Sequence, residues 1–539
     1  MKNTSKSNRL IKMPLAIVAL FMWANIGICQ STSIPNVLKL RSAKSSGAII
    51  ENDKLVGYYV FFFKEKEDRK NSTYEIQIFD DNLNAVKEIA ITRPKRSYLL
   101  EIVYNEKAFI LFFYDSKTGY EFITYDRNGK QLGNHKVDRK EIPRADLALS
   151  ASSLNSGTEN VTIFPLGSKG FVRSSYTKNK KTGYNLIAFD NKMNELWRYG
   201  SAEDSKLYES AEISNISDEV ITATIYKRKG AMSKKMDAFF HLINPKDGTL
   251  IKEVPMGNGS EGKLTVLKTY LAKGSDKIIL IGEYFKPGDD FLKDKSQGLF
   301  VREIDMSGNE KDMKKFSWDG DIAKFKNENL TEEDKKEAKD GFSIFFHDVI
   351  KSDGHYFLIG EQFRKQVSAG GVAMNVLAGA TGGSSDAAAF EIRVSNMIVM
   401  ELDESNELID FKVVKKKRTS VYLQKGMGLY SSAFLGYYVK STGGFDYSFT
   451  SNDKEKNKHT VVYVDANRKE EKDDKAKEKS DVMLGVIQIE NGKIETQRIP
   501  INTDAKRFWF EAAKPGFVTI GEYYKKEKKL DFRLEKLTY

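Results

Sequence analysis

Residues 280–286 read LIGEYFK, and nearly the same phrase returns as LIGEQFRK at 358–365 and TIGEYYKK at 519–526. A phrase repeated at unequal spacing marks a repeat architecture with insertions between its units. Downstream of each phrase come a polar loop, a second apolar strand, a tight turn and another strand. The later part of this unit recurs along the chain as YEIQIFDDNLNAVKEI from Tyr74, YNLIAFDNKMNELWRY from Tyr184 and MIVMELDESNELIDFKV from Met397. Period-two alternation broken by Asp, Asn and Gly is the pattern of a β-hairpin. Two further strands precede each hairpin, as in YLLEIVYN and AFILFFYD, or LTVLKTYL and KIILIGEYF. The unit is therefore a four-stranded antiparallel meander, strands A to D, with the length of a propeller blade.

Eight such units fit, with seven as the competing count. The last unit lacks a strand D, and an orphan strand near the N-terminus, PNVLKL at 35–40, is expected to supply it and close the ring. Closure leaves no long free sheet edge. The expected architecture is all-β: an eight-bladed β-propeller of four-stranded blades, occupying 30–539 as one domain. Insertions are expected near 318–341, 365–395 and 452–481. Within them, NENLTEEDKKEAKDG reads as a short helix capped by Thr331, 365–395 is rich in Gly and Ala, and 452–481 is heavily charged.

Residues 1–29 read as a signal peptide, a basic start followed by MPLAIVALFMWANIGI and small residues before Gln30. Acylation of Cys29 is the alternative fate of this segment. Cys29 is the single cysteine of the 539 residues, so cleavage before Gln30 leaves no thiol for disulfide, nucleophile or metal. The leader holds four basic residues and no acid, which takes the net charge from +11 to +7. These features suit an exported bacterial protein of the periplasm or outer membrane, or an extracellular one, with no membrane span after leader removal.

The C–D hairpins, above all FDNKMNELWRYGS with Trp197 and INPKDGTLIKEV with Asp247–Gly248, resemble the quinoprotein-like propeller repeat. That resemblance implies eight blades, and a role either as a quinone-dependent dehydrogenase or as a periplasmic scaffold in outer-membrane protein assembly. The dehydrogenases carry adjacent cysteines against the cofactor, and this chain has none after its leader. No cofactor is expected. The whole chain also resembles an uncharacterised family of exported bacterial β-propellers.

Glu283, Glu361 and Glu522 recur at one position of strand B. They are the catalytic candidates if a carboxylate-lined funnel acts on glycans as a hydrolase or lyase. Thr224 and Ser175 fill the same slot elsewhere, which suits a hydrogen-bonding role. Asp-rich turns such as those from Asp80 and Asp305 lack the distal Glu of a calcium loop and read as turn caps. The five histidines (His135, His241, His347, His355 and His459) show no zinc-ligand spacing, although His347 and His355 bracket one hairpin.

The charge pattern is the stronger signal. Lys178, Lys180, Lys181, Lys227, Arg228, Lys229, Lys234, Lys235, Lys525, Lys526, Lys528 and Lys529 all fall in B–C loops, which lie on one face of a propeller together with the D–A connections. A basic face steers anionic partners: an envelope protein, an acidic glycan or a lipid head group. Export and the absence of a base-stacking motif argue against nucleic acid. The expected role is a non-enzymatic binding or scaffold propeller of the cell envelope.

Overall fold

The computed structural model describes residues 30–537 apart from 41–44, 53, 153–159, 178–180, 231–232, 234–235, 258–261, 272–274, 330–341, 369–389, 424–426, 454–455 and 467–481. Eight antiparallel sheets form an eight-bladed β-propeller, so the seven-blade count is set aside. Blades 1 to 7 occupy 46–94, 97–138, 163–200, 208–255, 264–317, 343–414 and 447–501 in chain order. Blade 8 takes strands A to C from 507–536 and strand D from the N-terminus.

That closing strand is β1 (Ser31–Ile34), which pairs antiparallel with the C-terminal strand Lys529–Lys536. It lies just before the segment expected from the sequence. PNVLKL instead carries the chain from blade 8 to blade 1: Val37 donates its N–H to Lys528 O, and Leu38 donates to Phe63 O. The correction has a simple cause. Val37 and Leu40 are buried because they fill the seam between those two blades, and an apolar pattern alone does not tell seam filling from strand pairing.

The core consists of the eight seams. An apolar cluster joins each pair of successive blades: Ile49 and Tyr59 meet Phe109 between blades 1 and 2, Ile359 and Met397 meet Tyr463 between blades 6 and 7, and Val60 and Phe62 meet Phe532 across the closure. Strand B therefore faces a neighbouring sheet on both sides, which is why it reads as an unbroken apolar run such as FILFF or IILI rather than an alternating one. Each fully buried Phe of this kind contributes about 1.5–3 kcal/mol relative to exposure. Strand D, at the perimeter, keeps its outer residues exposed, as in Gln131–Asp138.

The recurrent small residue in LIGE serves the blade itself. A Cβ on Gly282 would strike Thr265 O, and one on Gly360 would lie 2.8 Å from Ile344, both on strand A of the same blade. The C–D turns hold their Asp by capping: Asp190 Oδ1 accepts the N–H groups of Lys192 and Asn194, and Asp305 and Asp80 repeat the arrangement at their own turns. Trp197 of blade 3 docks on the next turn, donating Nε1–H to Pro245 O at 3.0 Å over Gly248, where a Cβ would lie 2.6 Å from its ring.

Among the described residues, three α-helices sit in the D–A connections: α1 (Arg144–Ser152), α2 (Asp321–Asn329) and α3 (Ser432–Ser441). The helix expected from Thr331 falls outside the described residues, as do 369–389 and 467–481 of the other insertions and the whole leader with Cys29.

Candidate functional site

Helices α1 and α3 stand on the face that carries the B–C loops. Ser431 caps α3 by accepting the N–H of Phe434, and it ties the helix to the B–C loop of blade 5 through Ser431 Oγ to Phe291 O (2.6 Å) and Ser431 N to Leu292 O (2.7 Å). Gly436 lets α3 settle on blade 6, since a Cβ there would lie 2.9 Å from Phe363. The adjacent Tyr437 donates to Val266 O, on strand A of blade 5, at 2.5 Å. Desolvation raises the Tyr437 phenol well above its usual range, so it stays a donor.

Between α1, α3 and strand A of blade 4 (Tyr208–Ile216) lies a cavity of about 610 Å³, walled by Tyr176, Tyr208, Tyr226, Tyr437 and Phe434, with Glu209, Glu212 and Arg228 among them. Strand A of blade 4 has no fully buried residue, because it borders this opening. A second cavity of about 740 Å³ adjoins it over blades 2 and 3 and shares Tyr176. There Arg173 is buried over the Phe112 ring (4.9 Å) and pairs with Asp146 of α1 at 3.2 Å. A third cavity of about 280 Å³, between blades 4 and 5, shares Tyr226, Met236 and Phe291 with the first.

The described members of the basic set divide by environment. Lys181 and Lys229 join the loops of blades 3 and 4: Lys181 Nζ donates to Lys229 O (3.1 Å) and lies 5.3 Å from the centre of the Tyr208 ring. Arg228 lines the 610 Å³ cavity beside them. Lys227 turns along its own sheet to Glu253 of strand D (3.0 Å) and the Phe239 ring (4.4 Å). Lys525, Lys526 and Lys528 are exposed in the B–C loop of blade 8, across the ring, where Lys529 pairs with Asp531 at 2.7 Å. Lys178, Lys180, Lys234 and Lys235 lie outside the described residues.

Glu283, Glu361 and Glu522 occupy matching sites on strand B of blades 5, 6 and 8, and all three are buried. They stand in separate blades and are not brought together. Burial pushes the Glu283 carboxyl up to about 8, against a lowering hydrogen bond from Ser296. Glu522 has Arg533 at 3.5 Å. Glu361 sits in a charged cluster with Lys416 (3.3 Å) and His347 (3.2 Å), and it accepts the N–H of Tyr447 (2.6 Å) and Asp446 (3.2 Å) of blade 7. Burial opposes its ionisation, yet Lys416, His347 and the Tyr447 N–H outweigh burial and hold it low, near 2. His355 pairs separately with Glu401, so the two histidines of that hairpin have different partners.

Two carboxyl groups missed by the sequence reading line a central cavity of about 340 Å³. Glu101 accepts from Thr162 N (3.0 Å), Thr162 Oγ1 (2.5 Å) and Ile163 N (3.1 Å) of blade 3. Glu511 accepts from Trp509 Nε1 (2.8 Å) and Ser46 Oγ, and burial raises it to about 7. Neither belongs to the repeated phrase, so no repetition flagged them. The tyrosines of the face cavities went unmarked because Tyr is common throughout the strands.

With this geometry established, a family of unknown function, DUF6770, matches residues 10–538. The chain belongs to that family. No curated protein matches it. Among solved structures, the WD40 domain of SCAP from fission yeast aligns at 9% identity and TM-score 0.26, covering 81% of this chain and 98% of that one. The β-propeller domain of the Trilobed protease from Pyrococcus furiosus aligns at 10% and 0.33, covering 82% and 93%. Prolyl oligopeptidase B from Galerina marginata aligns at 9% and 0.37, where 90% of this chain spans 56% of that one. None of these distant likenesses bears on the chemistry of this chain.

Proposed function

We propose that the protein is a non-enzymatic binding or scaffold propeller of the bacterial cell envelope, exported by its N-terminal leader, and that its B–C/D–A face docks an anionic envelope component. The observation that carries this reading is the convergence of Lys181, Arg228 and Lys229, from two adjacent blades, at the mouth of the 610 Å³ cavity. Lys229 is exposed while Lys181 and Arg228 are half-buried, and cations grouped at a concave opening raise the local concentration of polyanions and speed their docking, with a strong dependence on salt. The buried strand-B carboxylates act in this reading as internal fasteners.

The test measures binding of the leader-free chain to a fluorescent polyuronate and to vesicles containing phosphatidylglycerol, across a salt series. Salt-sensitive binding to either polyanion, weakened several-fold by the Lys181→Glu/Lys229→Glu double variant, is expected. Binding to neither at low ionic strength, or binding indifferent to the charge reversal, overturns the reading.

A further inference from the structure

We infer that the three cavities of the docking face form one groove for an extended acidic polysaccharide, with saccharide rings seated on its tyrosines. The inference rests on the docking reading above and names the partner's chemistry.

Continuity is the first observation. Tyr176 is a wall of both the 740 Å³ and the 610 Å³ cavities, and Tyr226, Met236 and Phe291 are walls of both the 610 Å³ and the 280 Å³ cavities. The depression therefore runs as an arc over blades 2 to 5. A compact ligand would need one such cavity. A linear polymer uses all of them in series.

The second observation is the nature of the walls. Tyr176, Tyr208, Tyr226 and Tyr437 are half-buried rather than submerged, so they line the arc as partly open aromatic side chains. A sugar ring has an apolar C–H face that packs on an aromatic ring, where the negative quadrupole meets the positively polarised hydrogens. Its rim carries hydroxyls, each able to donate and to accept, so the site must offer both kinds of partner. The arc does so: Glu209 and Glu212 accept, while Arg228 and Asn185 donate.

Charge completes the match. The groove lining mixes acids with bases, which suits neutral hydroxyls, whereas the loops above it are basic through Lys181 and Lys229. Acid substituents on the upper edge of the polymer would meet those lysines while the rings lie below. Lys181, poised over Tyr208 at 5.3 Å, touches both layers. A membrane surface, being flat, would meet the lysines and leave the groove empty.

Oligouronates from dimer to hexamer, titrated against the leader-free chain by calorimetry, test the inference, with phosphatidylglycerol vesicles as the parallel arm. Affinity is expected to climb with oligomer length and then level off once the arc is filled. Tyr208→Ala and Tyr176→Ala are each expected to weaken hexamer binding roughly five- to thirtyfold, the range for truncating an aromatic anchor, while Tyr208→Phe, which keeps the ring, retains most of it. Circular dichroism of the variants guards against unfolding. Length-independent binding, or hexamer binding untouched by Tyr208→Ala and Tyr176→Ala, overturns the groove and leaves the docking face standing. Vesicle binding without oligouronate binding does the same. Binding of neither overturns both readings.

Discussion

Lys416→Met isolates what holds blades 6 and 7 together. The Lys416 ammonium is fully buried, 3.3 Å from Glu361 and in contact with Asp446, which itself accepts from Thr419 at 2.9 Å. At an effective dielectric of about 20, opposite unit charges at 3.3 Å attract by about 5 kcal/mol. Removing the cation also leaves Glu361 ionised and buried with only His347 and two backbone N–H groups to answer it. Breaking a buried pair in this way costs about 3–5 kcal/mol. Because a closed ring of this size need not unfold in one step, the readout is amide exchange at the inner strands Ser343–Ser352 and Tyr447–Asp453. Exchange through opening of that seam is expected to accelerate by about a hundred- to several-thousand-fold in Lys416→Met, at roughly tenfold per 1.4 kcal/mol. The Lys416→Met/Glu361→Gln double variant, which neutralises the orphaned charge, is expected to recover most of the loss. Exchange within about fivefold of the unmodified chain, or a double variant as damaged as the two single changes added, would refute the assignment of the seam to this ion cluster.

Glu511 gives a pH signature. Its folded-state pKa, raised by burial to about 7, lies above the unfolded value, so the folded chain keeps a proton that the unfolded chain releases, and stability falls as pH rises from about 4.5 through 7. Glu511→Gln removes that slope. Urea midpoints of variant and parent should agree near pH 4.5 and favour the variant at pH 8 by about 3 kcal/mol, and a constant difference across the range would contradict the assignment. Trp197→Ala should destabilise the seam between blades 3 and 4 by about 3–5 kcal/mol through lost packing on Gly248 and the lost bond to Pro245. A thermal and urea comparison checks it, and Trp197→Phe, which keeps the ring stack but not the N–H, should fall between.

The blade count was legible because the turn chemistry repeats. Asp80, Asp190, Asp305 and Asp403 each cap a C–D turn through their own backbone, so the same local physics writes the same residue wherever the turn occurs. The basic loops were legible as loops for a similar reason, since Lys181 and Lys229 sit where the apolar pattern stops. Their company was not legible. Lys227 and Lys229 are only two residues apart, yet Lys227 still lies on strand B and pairs with Glu253 of strand D, whereas Lys229 follows the end of that strand at Arg228 and is exposed. Glu361 illustrates the other limit: the repeat marks its position, but its partners Lys416 and Asp446 come from a connection that no other blade shares.

Glu101, Glu361 and Glu511 together bear on how the ring tolerates a binding groove. Each lies on strand A or B and reaches the inner strand of the following blade: Glu101 to Thr162 and Ile163, Glu361 to Asp446 and Tyr447, Glu511 to Ser46. Near the axis the sheets converge, and backbone donors at the ends of inner strands have no neighbour in their own sheet. Glu101 and Glu361 satisfy those donors where a bulky apolar side chain would not, while Glu511 accepts the side-chain donors of Ser46 and Trp509. The seams after blades 2, 6 and 8 are fastened in this way. Those after blades 3 and 4 meet instead through outer features such as Trp197 on Gly248, and their inner side opens into the aromatic cavity. The fasteners after blades 6 and 8 thus hold the part of the ring that carries no groove, whereas Glu101 holds the seam between blades 2 and 3 that the groove crosses. A fold built from one repeated unit reaches this division by changing a few residues near the axis while the outer hairpins stay alike.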